Sequence, residues 1–315
     1  MEELSKLTAS SWQRTLQSSI RCTGVGLHTG DKVTMELQPA AADTGILFRR
    51  TDVANSDRDV RARYDFVGST NFCTTLVNED GVSVATIEHL MAALAGCEID
   101  NAIVALNGPE VPIMDGSAEP FVFLIECAGT VEQDEPRRAI QVLHPVTVRD
   151  GNSVATLEPA DGFSIEFGID FESAAIGRQS FLMDLSPDAF KTDISRARTF
   201  GFLHEVEALH NAGLGQGGSL ENVVVIDGDE VMNVDGLRFD NEFVRHKVLD
   251  CIGDMYLAGG PLVGHFSGIR SGHGLHHKLL HALFAEEAAW TTVSLDRRVP
   301  LEAASWEPQA IAASA

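Results

Sequence analysis

The sequence predicts an α+β protein made of two similar halves. Apolar and polar residues alternate over 33–38 and again over 163–171, a pattern typical of half-buried β-strands. Apolar residues three or four apart predict a helix in each half, over 86–95 and 241–258. The tripeptide Leu-Ala-Gly closes both segments, and a strand, a loop and a helix follow each time. We therefore expect a duplicated unit whose helices meet between two sheets.

The length of the chain suits two domains. Its 315 residues would divide into units of about 150 residues each. The polar, proline-containing segment 130–138 is the best candidate linker, with domain I over 1–129 and domain II over 139–298. Residues 299–315, rich in alanine and serine, are expected to be a loose tail.

Composition excludes several classes of protein. The net charge of −23 disfavours binding to nucleic acid or to an anionic membrane surface. No apolar run approaches the ~18 residues that a membrane span needs, and the N-terminus does not have the pattern of a signal peptide. The five cysteines are scattered without a CxxC pair, which predicts reduced thiols and leaves histidine and carboxylate as metal ligands. We expect a soluble, cytoplasmic monomer.

The first candidate metal ligands lie on the second-half helix. His246 and Asp250 are four residues apart and so share a helix face, and Asp254 follows four residues later. An imidazole and a carboxylate at this spacing can hold one divalent cation. The alternative is a solvated polar stripe.

A matching pair lies near the start of the first-half helix. In Glu88-His89, a glutamate adjoins a histidine. A glutamate next to a metal-binding histidine is the arrangement in which a carboxylate deprotonates water activated by the metal. The alternative is a glutamate that favours the helix dipole, next to a satisfied, partly buried histidine. If the halves are duplicated, His89 and His246 lie on corresponding helices and converge with Asp250. Three protein ligands with one open position are typical of catalytic zinc.

A further histidine is a candidate proton donor. His273 lies among small residues in the predicted loop 267–274, where its ring could protonate a leaving group. The alternative is a metal-binding stripe with His277 and His281, which follow at intervals of four. The flanking glycines disfavour a helical His273, so we expect His276, His277 and His281 to be surface or packing residues.

Two glycine-rich stretches, 24–30 and 213–218, invite a nucleotide-binding interpretation. Neither has the Gly-Lys-Ser/Thr ending of a Walker A loop, and neither lies between a predicted strand and helix. We expect turns at both. Phe200 and Phe202, on either side of a glycine, are either core residues or the wall of an apolar channel.

Six motifs occur in order along residues 12–295. They are Gly24-Val25-Gly26-Leu27-His28-Thr29-Gly30, Thr86-Ile87-Glu88-His89-Leu90, Pro112-Ile113-Met114-Asp115-Gly116-Ser117, Ala197-Arg198-Thr199-Phe200-Gly201-Phe202, His246-Lys247-Val248-Leu249-Asp250 and Ser271-Gly272-His273. Together they resemble the motifs of the UDP-3-O-acyl-N-acetylglucosamine deacetylases, the zinc amidases of lipid A biosynthesis in Gram-negative bacteria. The length suits the stand-alone deacetylase, without the dehydratase domain that some relatives carry.

The resemblance implies a β-α-α-β sandwich of two domains with the site at their interface. It implies one Zn²⁺ per chain, held by His89, His246 and Asp250, a ligand set that can also accept Fe²⁺. It also implies that Glu88 is the general base and His273 the general acid.

Further roles are implied by the same resemblance. Asp254 would orient the general acid, Thr199 would hold the oxyanion, and Lys247 would lie beside the reacting group or a substrate phosphate. Arg270 stands where many relatives have lysine, so a forked guanidinium replaces a point charge at a phosphate contact. The other implied contacts are Phe171 on uracil, Leu27, Phe200 and Phe202 around the glucosamine and acyl sites, residues 203–230 as the acyl passage, and Cys73 near the metal.

The implied reaction is hydrolysis of the 2-acetamido group of UDP-3-O-(3-hydroxyacyl)-N-acetylglucosamine. Its products are acetate and UDP-3-O-(3-hydroxyacyl)-glucosamine, the committed step of lipid A biosynthesis. No nucleic acid and no stable membrane insertion are expected, although transient contact with the inner membrane is compatible with this role. Two alternatives stay open: another metal-dependent amidase, and a non-catalytic protein that binds nucleotide sugars or acyl chains and needs neither Glu88 nor His273.

Overall fold

The computed structural model describes residues 10–54 and 58–295, and the predicted tail, 299–315, lies outside them. The predicted α+β class is confirmed, with helices packed between sheets. The elements of the first half are β1 (Trp12–Leu16), β2 (Ile20–Val25), β3 (Lys32–Pro39), β4 (Ile46–Arg50), β5 (Asp59–Arg61), a 3₁₀ turn (Tyr64–Phe66), β6 (Val67–Ser69), β7 (Thr75–Val77), β8 (Ser83–Val84), α1 (Glu88–Gly96), β9 (Ala102–Leu106) and α2 (Glu119–Ala128).

The main sheet of the first half has five strands in the order β2-β3-β9-β4-β5. Strand β9 is antiparallel to β3 and parallel to β4. In β3 the side chains of Val33, Met35 and Leu37 are completely buried, as the alternation predicts. A second, three-stranded sheet has the order β6-β7-β8 and carries the residues that lead into α1.

The predicted linker is itself partly a strand. Residues Thr130–Pro136 form β10, which pairs antiparallel with β1. Arg137, at the end of this strand, is buried against Glu98 and Asp100 in ion pairs of 3.0 and 2.7 Å. The segment that joins the two halves is therefore held to domain I, and the domain boundary itself stays a prediction.

The second half is built around one strand that is shared by several neighbours. Strand β19 pairs with β13 along one edge and with β14 and β11 along the other, in a sheet of seven strands. The elements are β11 (Arg138–Val142), β12 (Val146–Asp150), β13 (Ser153–Glu158), β14 (Phe163–Asp170), β15 (Arg178–Asp184), α3 (Pro187–Ala189), a π-helical turn (Phe190–Ile194), β16 (Phe200–Phe202), α4 (Leu203–Asn211), β17 (Val224–Asp227), β18 (Glu230–Val231), α5 (Glu242–Met255), a 3₁₀ turn (Tyr256–Ala258), β19 (Leu262–Ile269), α6 (His273–Ala285), a 3₁₀ turn (Glu287–Ala289) and β20 (Trp290–Ser294).

The two helical layers meet between the two main sheets. Helix α2 packs on β2 and against α1, whereas α5 packs on β14 and β15, and α6 on β12 and β13. Helices α1 and α5 pack against each other, which completes the β-α-α-β order. Their backbones approach closely at Gly253, where an added Cβ would lie 2.1 Å from the carbonyl oxygen of Glu88. This contact places the first turn of α1 over the last turns of α5.

The two glycine-rich stretches contact each other. Gly217 donates its N–H to the carbonyl oxygen of Leu27 at 3.0 Å, and the N–H of Gln216 bonds the carbonyl of His28 at 3.2 Å. A Cβ on Gly217 would lie 2.2 Å from the carbonyl oxygen of Gly26, so this approach requires glycine. The contact joins the first half to the segment that follows α4.

The prediction of a loop over 267–274 is wrong at both ends. Strand β19 continues to Ile269, and α6 begins at His273. Gly272 has an extended backbone, with φ −162° and ψ −174°, and serves as the residue before the helix. Glycine is tolerated at this position and in the first turn, where the N–H groups have no partner within the helix. The flanking glycines therefore do not exclude His273 from a helix.

Among the described residues, none of the helices is both long enough and apolar enough to span a membrane.

Replacing Gly253 with alanine tests the contact between α1 and α5. The added Cβ would strike the carbonyl oxygen of Glu88, and this clash outweighs the ~1 kcal/mol by which alanine favours a helix. We expect the free energy of unfolding, measured by urea denaturation, to fall by about 2 kcal/mol. Gly162→Ala is the control, because nothing lies within 4 Å of its added Cβ. Equal stabilities of the two variants would contradict the close approach.

Candidate metal and catalytic site

Three side chains from the two central helices converge in the core. His89 comes from the first turn of α1, and His246 and Asp250 lie one turn apart on α5. The Nε2 atoms of His89 and His246 lie 3.6 and 3.4 Å from Oδ1 of Asp250. All three side chains are buried, and the two imidazole rings are nearly perpendicular. The convergence expected from the duplicated helices is therefore present in the structure.

The chemistry of this group fits a divalent cation. Oδ1 of Asp250 is buried and has no hydrogen-bond partner among the described residues, which is costly for a carboxylate. The Nδ1 atom of His246 bonds the carbonyl oxygen of Ala197 at 3.0 Å, which directs the other ring nitrogen toward Asp250. Burial lowers the pKa of His246 to about 4, so its ring is neutral at pH 7. Two imidazole nitrogens and one carboxylate oxygen are ligands that zinc accepts.

Lys247 keeps the carboxylate of this group ionised. Its Nζ lies 2.7 Å from Oδ2 of Asp250, on the side away from the unpartnered oxygen. Burial alone would raise the pKa of Asp250, but the charge of Lys247 and the neighbouring histidines hold it well below its usual value. The expected position of Lys247 beside the reacting group is compatible with this contact.

Glu88 is buried next to the metal-ligand group. Its Oε2 accepts a hydrogen bond from the N–H of Thr74 at 3.1 Å, and its Oε1 lies 3.9 Å from Nε2 of His273. Burial raises the pKa of Glu88 above its usual value, and nearby His273 and His89 only partly oppose this effect. A carboxylate with a raised pKa is a stronger base, which suits proton abstraction near neutral pH.

His273 forms a hydrogen-bonded pair with Asp254. Its Nδ1 bonds Oδ2 of Asp254 at 2.7 Å, which leaves Nε2 facing Glu88 and Asp250. Burial by itself lowers the pKa of His273, but the charge and hydrogen bond of Asp254 raise it to about 9. The ring is therefore protonated at pH 7 and can act as an acid.

Sequence reasoning missed two further partners of Asp254. The Oγ1 atom of Thr74 donates to Oδ1 at 2.6 Å, and Nδ1 of His276 bonds Oδ2 at 2.8 Å. The prediction of His276 as a packing residue was thus incomplete. Its place three residues after His273 on one helix was an available signal. Thr74 lies 180 residues from Asp254, and no local pattern connects them.

Three aromatic residues form an apolar wall beside the metal-ligand group. The ring centroid of Phe171 lies 5.8 Å from that of Phe200 and 6.0 Å from that of Phe202. Phe200 is in turn 6.2 Å from the ring of His246. These rings are only partly buried, so they retain surface that an apolar or aromatic ligand could contact.

Four further predicted site residues have defined contacts or burial in the structure. Thr199 precedes Phe200 and is held by backbone hydrogen bonds with Gly116 and Val224. Arg270 forms an ion pair of 2.5 Å with Asp170, the residue that precedes Phe171 in the chain. Cys73 is buried, and burial together with the charge of Glu88 raises its pKa to about 11. Leu27 bonds Gly217, as described above.

A buried ion pair that the sequence did not indicate anchors the start of α5. Glu242 is completely buried and accepts from both the backbone N–H and Nε of Arg198, at 3.0 and 2.8 Å. Arg198 lies between Ala197, which bonds the ring of His246, and Thr199. The pair therefore ties the helix that carries two candidate ligands to the segment that leads into β16, which carries Phe200 and Phe202.

This arrangement is that of a candidate metal-dependent hydrolase of the α+β class. The sequence model of the UDP-3-O-acyl N-acetylglycosamine deacetylase family matches residues 13–285. The chain belongs to this family.

Three curated relatives are similar in sequence to this chain over nearly its whole length. A protein of Shewanella frigidimarina named UDP-3-O-acyl-N-acetylglucosamine deacetylase is 48% identical over 303 residues, covering 96% of this chain and 99% of the relative. A protein of Marinobacter nauticus with the same name is 52% identical, covering 90% of this chain and 93% of the relative. A protein of Idiomarina loihiensis with the same name is 49% identical, covering 94% of this chain and 97% of the relative.

Proposed function

We propose that this protein hydrolyses the 2-acetamido group of UDP-3-O-(3-hydroxyacyl)-N-acetylglucosamine, a step of lipid A biosynthesis. One observation carries the proposal: the unpartnered Oδ1 of buried Asp250 faces two imidazole nitrogens, and beside them Oε1 of buried Glu88 lies 3.9 Å from Nε2 of His273. Membership of the deacetylase family supports this choice of reaction.

We assign His89, His246 and Asp250 as ligands of one Zn²⁺. When bound, this ion supplies a Lewis acid that polarises the amide carbonyl and lowers the pKa of water. The ionised state of Asp250 and the neutral state of His246 supply the donor atoms that such binding needs.

The chain's own residues then move the protons. The Glu88 carboxylate takes a proton from the attacking water as its oxygen forms a bond to the carbonyl carbon. The Thr199 hydroxyl donates to the developing oxyanion, and Lys247 adds a positive charge beside it. Protonated His273, held by Asp254, donates from Nε2 to the amine nitrogen as the C–N bond breaks. Acetate and UDP-3-O-(3-hydroxyacyl)-glucosamine, now with a free 2-amine, leave.

The surrounding residues suit a nucleotide sugar with one acyl chain. We assign Phe171 to stacking on uracil, and Leu27, Phe200 and Phe202 to the glucosamine and acyl sites. Residues 203–230 provide the acyl passage, and Cys73 lies near the metal. Arg270 takes a phosphate, for which it must exchange or share its contact with Asp170.

We also propose that the protein acts in the cytoplasm as a monomer. Its five cysteines are free, which suits a reducing compartment. With a net charge of −23, tight electrostatic docking to an anionic membrane is disfavoured, and contact with the inner membrane would be transient.

The first test is acetate release from the UDP-sugar lipid before and after chelation. We expect the chelator to abolish release and about one equivalent of Zn²⁺ per chain to restore it. A simple acetamide serves as the comparison substrate. Equal turnover of both substrates would favour an unrelated amidase, and binding without turnover by folded, zinc-loaded protein would favour a binding protein.

Replacing His273 with alanine separates its role from metal binding. We expect kcat to fall by about 10²–10⁴-fold, the usual contribution of a general acid, while zinc content stays near one per chain. Zinc is counted by atomic absorption, and exposed His144→Ala is the control. Parallel loss of zinc and activity would contradict the assignment.

The pH profile of kcat/KM should be bell-shaped. On the acid side the rate rises as Glu88 loses its proton, and burial places that pKa above the usual glutamate value. On the alkaline side the rate falls through about pH 9, where His273 loses its proton. His273→Gln should remove the alkaline limb. If the limb persists in that variant, another group is the acid.

A further inference from the structure

His276 is a buried histidine for which the proposed reaction has no stated use. Its side chain is fully enclosed, with the rings of Phe167 and Phe266 at centroid distances of 6.0 and 5.5 Å, both nearly perpendicular. Its two nitrogens both have partners: Nδ1 lies 2.8 Å from Oδ2 of Asp254, and Nε2 lies 3.1 Å from Oγ of Ser271.

These contacts determine which ring nitrogen carries the proton. Burial lowers the pKa of His276, so the ring is neutral and has a single N–H. The Asp254 carboxylate can only accept, and Nδ1 must therefore be the donor. Nε2 is then an acceptor for the Ser271 hydroxyl. Hydrogen bonds run in one direction, from Ser271 through His276 to Asp254.

Asp254 consequently has three donors, and two of them share one oxygen. His273 and His276 both bond Oδ2, while Thr74 bonds Oδ1. A carboxylate held on both oxygens cannot rotate about its Cβ–Cγ bond without breaking several hydrogen bonds. Its Oδ2 is then a fixed acceptor for Nδ1 of His273, which fixes where Nε2 of that ring points.

We propose that His276 is a positioning residue that holds Asp254 so that the general acid His273 faces the leaving amine. The inference rests on the proposed function. Against the neighbouring rings of Phe167 and Phe266, an apolar side chain would pack without the cost of burying a polar ring. The polar contact with Asp254 accounts for a histidine in this place.

The test compares two replacements of His276 in the full-length, zinc-loaded protein. His276→Leu removes the donor, and we expect kcat for acetate release to fall about tenfold, with KM within about twofold and zinc content unchanged. His276→Asn retains an N–H donor near the position of Nδ1, and we expect it to recover kcat to within about threefold of the parent. Circular dichroism and thermal melts verify folding. If His276→Leu does not fold, His276→Phe, which fills the same space without a donor, carries the same expectation.

Two controls distinguish positioning from general damage. His277→Leu changes the neighbouring residue on α6, whose ring packs edge-on against His281, and should leave kcat unchanged. In a His273→Ala background, His276→Leu should cause no further loss, because its effect passes through His273.

The outcomes are separable from those of the proposed function. An active parent with an equally active His276→Leu overturns this inference alone. The inference is also overturned if kcat of His276→Asn is as low as that of His276→Leu. It is likewise overturned if His276→Leu lowers kcat in the His273→Ala background by as much as it does in the parent. A parent that releases no acetate overturns the proposed function and this inference together.

Discussion

The close contact of α1 with α5 is the constraint on which the site depends. Because Gly253 has no side chain, the backbone of Glu88 lies directly on α5, with room for no additional carbon atom. At that distance the first turn of α1 brings His89 to Asp250 and Glu88 to His273. Wider spacing of the helices would separate the two histidines of the metal-ligand group and leave the glutamate without its neighbours.

Three carboxylates share this small, buried volume, and their partners give them different properties. Burial raises the pKa of Glu88, whose hydrogen bond comes from a neutral backbone N–H. Lys247 keeps Asp250 ionised despite its burial, and His273 and His276 do so for Asp254. Environments that separate the pKa values of like groups are how enzymes assign base, ligand and orienting roles to similar side chains.

Much of the fold follows from local patterns. The alternation over 163–171 predicts β14 because every second side chain of a half-buried strand faces the core, as Ile165 and Phe167 do. The start of α6 was predicted wrongly because glycine next to His273 weakens a helix interior but not its first turn. The strand within 130–138 was also not predicted, since its polar sequence pairs at an edge and buries little.

The sequence by itself determined the stripe of His246, Asp250 and Asp254, because helix periodicity places residues four apart on one face. The motif resemblance added the roles of residues that no spacing connects. Only the tertiary structure decided that Thr74 and His276 both meet Asp254 and that Asp250 keeps one unpartnered oxygen. These contacts join residues on separate helices and strands. They depend on how those elements pack and on the distances between their backbones, which the order of residues within one element does not set.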